Sequence, residues 1–270
     1  NVRNVQSYGI RKSLPADSVS LTAHAQGELI LKKGLMQLIH QTAFDREPQT
    51  KRFVCDYIHT HFGGKDKINI VSAGCSTGEE AVTYSMLLYN LKNKVDILGF
   101  DLGKKAIKQA QSRKYVFEIP NPEYDFQKEL GMSSPYSDIY LISDKKQGLT
   151  PEQKRFKSLF HEFFEPTNRK IKTPFREWLQ DTLAKRNGET PLGIKRKEYK
   201  LKDGMANNCH FIQGDVLDID KITGEEKADV ISFCNALYHL TTIDKGYDIV
   251  ARKDSEEIIE KLMTKFKKCL

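Results

Sequence analysis

No stretch of the sequence is apolar for long enough to span a bilayer, and the N-terminal NVRNVQSYGIRKSLPAD lacks the apolar core of a secretory signal. Cysteine is scarce. Cys55, Cys75, Cys209, Cys234 and Cys269 form an odd, widely spaced set with no C-x-x-C pair, which argues against a disulfide framework. Three of them lie in or beside apolar runs, where a reduced cysteine behaves as a small hydrophobe, so a cytoplasmic compartment without membrane insertion is expected. There is no G-x-S-x-G elbow and no cluster with metal-ligand spacing, so no metal is expected. His59 and His61 are two apart, which on a helix points them to different faces; they read as a helix end before Gly63. An interleaved aromatic and basic pattern is missing too. The net charge of +7 is spread along the chain and is dense only at Lys195, Arg196, Lys197, Lys200 and Lys202. A solvated basic surface, rather than a nucleic-acid site, accounts for that spread.

What the chain does hold is an alternation of strands and helices in 270 residues, enough for one large α/β domain or a domain with an appendage. Residues 28–40 have a helical rhythm broken by Gly34. Residues 49–62 place Phe53, Val54, Tyr57, Ile58 and Phe62 on one helical face. INIVSA (68–73) and VDILGF (95–100) read as buried strands, each followed by a helix, over 78–92 and 103–115. This order predicts a parallel sheet covered by helices. After Pro120 the pattern changes, with one short strand expected at DIYLIS (138–143). Thr150-Pro151-Glu152-Gln153 has the form of a capping box ahead of Phe156, Leu159, Phe160, Phe163 and Phe164. Thr173-Pro174 opens a second helix with Phe175, Trp178, Leu179 and Leu183 expected inward. The expected division is therefore a helical N-terminal segment (1–64), a Rossmann-like domain (65–119 and 199–270) and a helical insertion (120–198).

The loop after the first strand, AGCSTGEE, carries small residues at Gly74, Ser76 and Gly78 and then two adjacent carboxylates, Glu79 and Glu80. A loop in that place lies at the carboxyl end of a parallel sheet, where α/β proteins bind ligands. A phosphate-binding loop would put Lys-Ser/Thr after its glycine. Glutamates would repel a triphosphate and favour a ligand bearing positive charge. Taken singly, either glutamate could simply complement a helix dipole. Asp101, at the end of the second strand, stands where an acidic side chain commonly accepts ribose hydroxyls. A nucleoside that also carries a cationic amino acid is S-adenosylmethionine.

Four ordered segments also carry a resemblance. SAGCSTGEE is similar to the signature of the chemotaxis-receptor glutamate methyltransferase family, CheR. HQTAFDREP (40–48) resembles its N-x-T-x-F-F-R-[DE]-P segment, GFDLGKKAIKQAQSRKY its second-strand segment, and ISFCNALYHL its F-C-R-N-V-x-I-Y-F segment. The resemblance implies a class I methyltransferase fold, S-adenosylmethionine as cofactor with S-adenosylhomocysteine as product, and methylation of a glutamate carboxylate on a protein. By the same carry-over His40 would be among the cofactor-binding residues, and Thr42 and Arg46 would contact the methionine end of the cofactor, with Arg46 also near the transferred methyl. Glu80 or Glu79 would hold its amino group, beside Gly74. Asp101 would hold the ribose, Asp215 and Val216 would flank the adenine, and Asn235 with Ala236 would line the floor near the sulfonium.

This sequence departs from the family pattern at several places. His40 replaces an asparagine and Asp45 the second phenylalanine. The arginine of F-C-R-N is absent, and Tyr238 and His239 compete for the place of its tyrosine. The family's small β-subdomain is not visible. A methyltransferase acting on a small molecule, with the insertion as a lid and His239, His40 or Tyr238 as base, is the alternative, as is a cofactor-binding sensor without turnover. After the ISFC strand only an amphipathic helix (254–270) follows, so the closing strands of the fold are not seen. Either the chain is a fragment or that sheet edge is covered by the N-terminal segment, the 136–143 stretch or a second copy.

Overall fold

A computed structural model describes residues 43–124, 138–143, 148–234, 240, 242–244 and 249–270. Four strands, β1 (Ile68–Ala73), β2 (Val95–Asp101), β6 (Cys209–Gln213) and β7 (Val230–Ser232), form a parallel sheet in the order β6-β2-β1-β7. β1 and β2 are largely apolar because both of their faces are covered, whereas β6 at the edge exposes His210, Ile212 and Gln213. Ile68 and Ile70 of β1 enter one core and Val71 and Ala73 the other. The first core is packed by helices α1 (Pro48–Phe62), α2 (Glu79–Leu87) and α3 (Lys104–Ser112); the second by α6 (Ile219–Thr223) and α7 (Ser255–Cys269). This is the Rossmann-like arrangement expected. The chain steps from β1 outward to β2 and β6, then returns to β7 on the other side of β1. The loop after β1 therefore stands at the point where the strand order reverses, which is where such sheets open a crevice.

A second sheet is present that the sequence pattern does not announce. β3 (Lys114–Ile119), β5 (Lys195–Leu201) and β4 (Phe164–Pro166) pair antiparallel in the order β3-β5-β4. Its inner face joins α4 (Pro151–Phe163) in an aromatic core. The Phe160 ring stacks on Phe164 at 4.4 Å and meets Phe44, Phe117 and Tyr199 at 5.4–5.7 Å. The capping box is as read: Thr150 Oγ1 accepts from Gln153 N at 3.2 Å, and Thr150 N donates to Gln153 Oε1 at 3.0 Å. The 120–198 stretch, expected as a helical insertion with one short strand at 138–143, thus contributes β4 and the first residues of β5 to a small β-sheet.

Three further expectations are corrected. DIYLIS holds a 3-10 turn (Ile139–Leu141), not a strand, and packs against α4 and β3, so it does not cover β7. In α1 the buried face is Lys51, Cys55 and Ile58, while Phe53 is 61% exposed. In α5 (Phe175–Arg186) the inward residue is Glu177, and Phe175, Trp178, Leu179 and Leu183 are exposed. The reason is on β5. Arg196 stands opposite Glu118 of β3 in register and receives the Glu177 carboxylate from α5 through two bonds of 2.8 Å. A bidentate charged pair set the rotation of α5 against its apolar stripe. The basic stretch at 195–202 is thus part strand interior: Lys195, Lys197 and Lys200 are exposed, but Arg196 is held inside.

With β6, β7 is one of the two edge strands of the parallel sheet among the described residues. Between it and α7 lies a short separate hairpin, β8 (Thr242–Asp244) with β9 (Ile249–Ala251). No helix among the described residues is long and apolar enough to cross a membrane.

Candidate active site

β1 ends in Ala73, and Gly74 (φ +70°) turns the chain so that the N–H groups of Gly74 and Cys75 both donate to Phe100 O of β2, at 2.8 and 2.9 Å. Gly78 (φ +93°) then opens α2. A Cβ there would stand 2.9 Å from the Phe211 ring, so this glycine serves packing as well as the turn. The loop is braced by Asp101. Its Oδ2 accepts Ser76 N at 2.9 Å and its Oδ1 accepts Gly103 N at 2.8 Å. Each carboxylate oxygen has a second acceptor direction beyond the N–H it takes. Gly214 N donates to Asp101 O at 3.0 Å, which brings the end of β6 alongside, and Asp215 caps the following turn through Leu217 N at 2.9 Å. Val216 is buried against the second core.

The two glutamates have different surroundings. Glu79 is buried, with the Thr77 hydroxyl 2.7 and 2.6 Å from its oxygens. Glu80 is half-buried and accepts Ser72 Oγ, a hydroxyl inside β1, at 2.8 Å. That places Glu80 toward β7, where Ser232 hydrogen-bonds Tyr84 at 3.2 Å and contacts the Cys234 thiol at 3.6 Å. Burial, with the Glu80 charge adding to it, pushes the Cys234 thiol up to about 11. Burial likewise raises the Tyr84 phenol above its ordinary value. Both stay protonated at neutral pH.

Arg46 lies in the turn before α1. Its carbonyl accepts the Lys51 ammonium, which is 3% exposed. Phe44 N donates to Asp138 Oδ2 at 3.2 Å, and Asp138 feels the charge of Glu79. The Arg46 turn is in this way tied to the 3-10 turn at Ile139–Leu141 through Asp138, 94 positions beyond Phe44. Burial is the main reason the Asp138 carboxyl is raised to about 7.

Among the residues expected at the site, Gly74, Glu79, Glu80, Asp101, Asp215 and Val216 fall along the carboxyl edge of the parallel sheet, and Arg46 on the neighbouring turn. His40, Thr42, Asn235, Ala236, Tyr238 and His239 lie outside the described residues. Ser72, Thr77, Lys51 and Asp138 were not anticipated. Ser72 had a signal, a hydroxyl within an apolar strand; Asp138 had none. No group of acids, histidines and cysteines among the described residues could hold a metal ion.

A parallel sheet whose first loop stands at the strand-order reversal, with an acid closing the second strand, defines a Rossmann-like nucleoside-cofactor domain. Residues 40–120 match the family described as CheR methyltransferase, SAM binding domain. Over that segment the chain is of the CheR type, a class I S-adenosylmethionine-dependent methyltransferase segment, and the cofactor is S-adenosylmethionine. The donor set fits that molecule: carboxylates for a cationic amine, a braced aspartate with acceptor capacity for hydroxyls. No curated protein matches the chain. Among solved structures, the plantazolicin methyltransferase BpumL in complex with SAH is similar over 70% of this chain and 91% of that one, at 13% identity and a TM-score of 0.20. The same enzyme with a monoazolic desmethylPZN analog and SAH is similar over 68% and 98%, at 12% identity and a TM-score of 0.22. Likeness at that level leaves substrate and fold to be argued from this chain itself.

Proposed function

We propose that this methyltransferase modifies a carboxylate oxygen, that of a glutamate side chain on a protein partner. The observation that carries this reading is the CheR-type segment over 40–120, with its loop and both glutamates in place. When bound, S-adenosylmethionine supplies a methyl group on a positively charged sulfur. A glutamate, with a pKa of about 4.3, is already ionised at neutral pH, so the protein has no proton to remove. The described surroundings of Glu80 agree with such chemistry, since the Cys234 thiol and the Tyr84 phenol are both held protonated and neither can act as a base.

In this reading Glu80 holds the cofactor's amino group, Asp101 its ribose, and Asp215 with Val216 its adenine. Arg46, with Lys51 behind it, provides positive charge toward the methionine end. Thr42, Asn235 and Ala236 keep the places that the resemblance assigns them. The five free cysteines support a reducing, cytoplasmic setting.

The test is the chemical nature of the product. Protein from a cell lysate is incubated with the enzyme and methyl-labelled S-adenosylmethionine, then treated with mild alkali. A carboxyl methyl ester releases its label as volatile methanol. Label that stays on the acceptor through alkali would overturn the carboxylate assignment and favour a nitrogen, sulfur or ether product.

A further inference from the structure

Arg46 sits between two residues in the left-handed region, Asp45 at φ +53° and Glu47 at φ +50°. Neither is glycine, and such strained conformations persist only where their surroundings over-determine them. Here the surroundings do so from several directions. Asp45 is 7% exposed; its carboxylate accepts the Tyr140 hydroxyl and faces the Arg52 guanidinium at 3.3 Å. One residue earlier the Phe44 N–H is taken by Asp138 at 3.2 Å, and the Phe44 ring is wedged between Tyr115, Phe117, Phe160 and Phe164. On the other side, Lys51 N donates to Glu47 O at 3.2 Å and the Lys51 ammonium to Arg46 O.

Asp138 and Tyr140 both come from the short turn that packs on α4 and β3. Two polar side chains from the middle of the chain therefore hold the turn that carries Arg46. The resembling family segment has phenylalanine where Asp45 stands, so this is a feature of this chain's own residues.

We propose that Asp138, Asp45 and Tyr140 are positioning residues that fix the backbone of the 44–47 turn, so that Arg46 is presented to the methionine end of the cofactor. This rests on the assignment of Arg46 to the cofactor site made above. None of the three touches the cofactor; their effect passes through Arg46.

The experiment is a double-mutant cycle read by calorimetric binding of S-adenosylhomocysteine, with thermal unfolding run on every variant. Asp138→Leu and Tyr140→Phe are each made alone and on an Arg46→Ala background. Expected is a roughly three- to tenfold weaker Kd for each single change, with little further loss once Arg46 is gone. Asp138→Asn, whose amide oxygen still accepts the Phe44 N–H, should stay close to the parent. If Asp138→Leu does not fold, Tyr140→Phe carries the test, since it keeps the ring and removes only the hydroxyl. Full, additive losses on the Arg46→Ala background, or no loss in Tyr140→Phe, would overturn the positioning role while leaving Arg46 in the site. Unchanged affinity in Arg46→Ala itself would instead remove Arg46 from the site, and the positioning role with it.

Discussion

In the antiparallel sheet, Arg196 commits its guanidinium to Glu118 and Glu177, and all three side chains are less than a tenth exposed. At the edge of the parallel sheet, by contrast, Glu80 is held by the Ser72 hydroxyl, Glu79 by Thr77, and Asp101 by the N–H groups of Ser76 and Gly103. An ion pair neutralises a carboxylate, whereas a hydroxyl or an N–H only orients it. The first arrangement is structural glue between β3, β5 and α5. The second, among the described residues, orients the Glu80 and Asp101 carboxylates at a crevice, which suits a cationic ligand. Both regions look equally charged in the sequence, and the bonding partner is what separates scaffold from site.

The sharpest way to break this comparison is to strip the cation from the scaffold. Arg196→Met leaves Glu118 and Glu177 buried together, and unfolding in urea should show a loss of about 3–5 kcal/mol. Replacing both glutamates by glutamine in the same chain should recover a large part of it. A triple variant no better than the single one would mean that packing, not charge, holds the three elements.

A second measurement concerns Asp138, whose burial and whose neighbour Glu79 raise its carboxyl to about 7 against the lowering pull of the Phe44 N–H. The folded state therefore binds this proton more tightly than the unfolded chain does. Its contribution to stability is complete below the ordinary carboxyl range and is lost as pH rises toward about 7. Asp138→Asn should flatten that part of the stability profile, by at most about 1.4 kcal/mol per pH unit. An unchanged slope between pH 4 and pH 7, both values being approximate, would count against the burial of this group.

At the site, Asp101→Ala and Glu80→Ala should each weaken S-adenosylhomocysteine binding by about 1.5–3 kcal/mol, the range for hydrogen bonds to a charged group. Calorimetry showing unchanged affinity in both would dismiss these two as cofactor ligands. The smallest expected effect is that of Ser72→Ala, which removes the hydroxyl that orients Glu80. About 0.5–1.5 kcal/mol of stability should go with it, together with a lesser loss of affinity than Glu80→Ala produces.

The parallel half was legible because its signals are local. A buried strand, a glycine turn and a helix start follow each other within residues 68–87, and Asp101 is placed by the end of the next strand. The antiparallel sheet was not legible, because β3, β4 and β5 are separated by long intervals and pair only after the chain has folded back. Lys195 to Leu201 carries charge at alternate and adjacent positions, so it reads as surface. Its buried residues, Glu198 on one face and Tyr199 and Leu201 on the other, are recognisable only once β3 and β4 lie on either side. The apolar stripe of α5 misled for the same reason: periodicity identifies a helix, but the Glu177–Arg196 contact chose which face turned inward. At the site, Glu79 and Glu80 were found as a pair, and their division into a buried and a half-buried partner depended on Thr77 and Ser72.

The sequence by itself determined the α/β alternation, the loop at the end of β1, the acid at the end of β2 and the resemblance that names the cofactor. Each is written in contiguous residues whose backbone preferences and spacing act over a few positions. Only the tertiary structure decided the second sheet, the rotation of α5, the partners of each carboxylate and the tie from Asp138 to the Arg46 turn. Those depend on contacts between residues far apart in the chain, whose strength comes from burial, and burial exists only after the whole domain has closed.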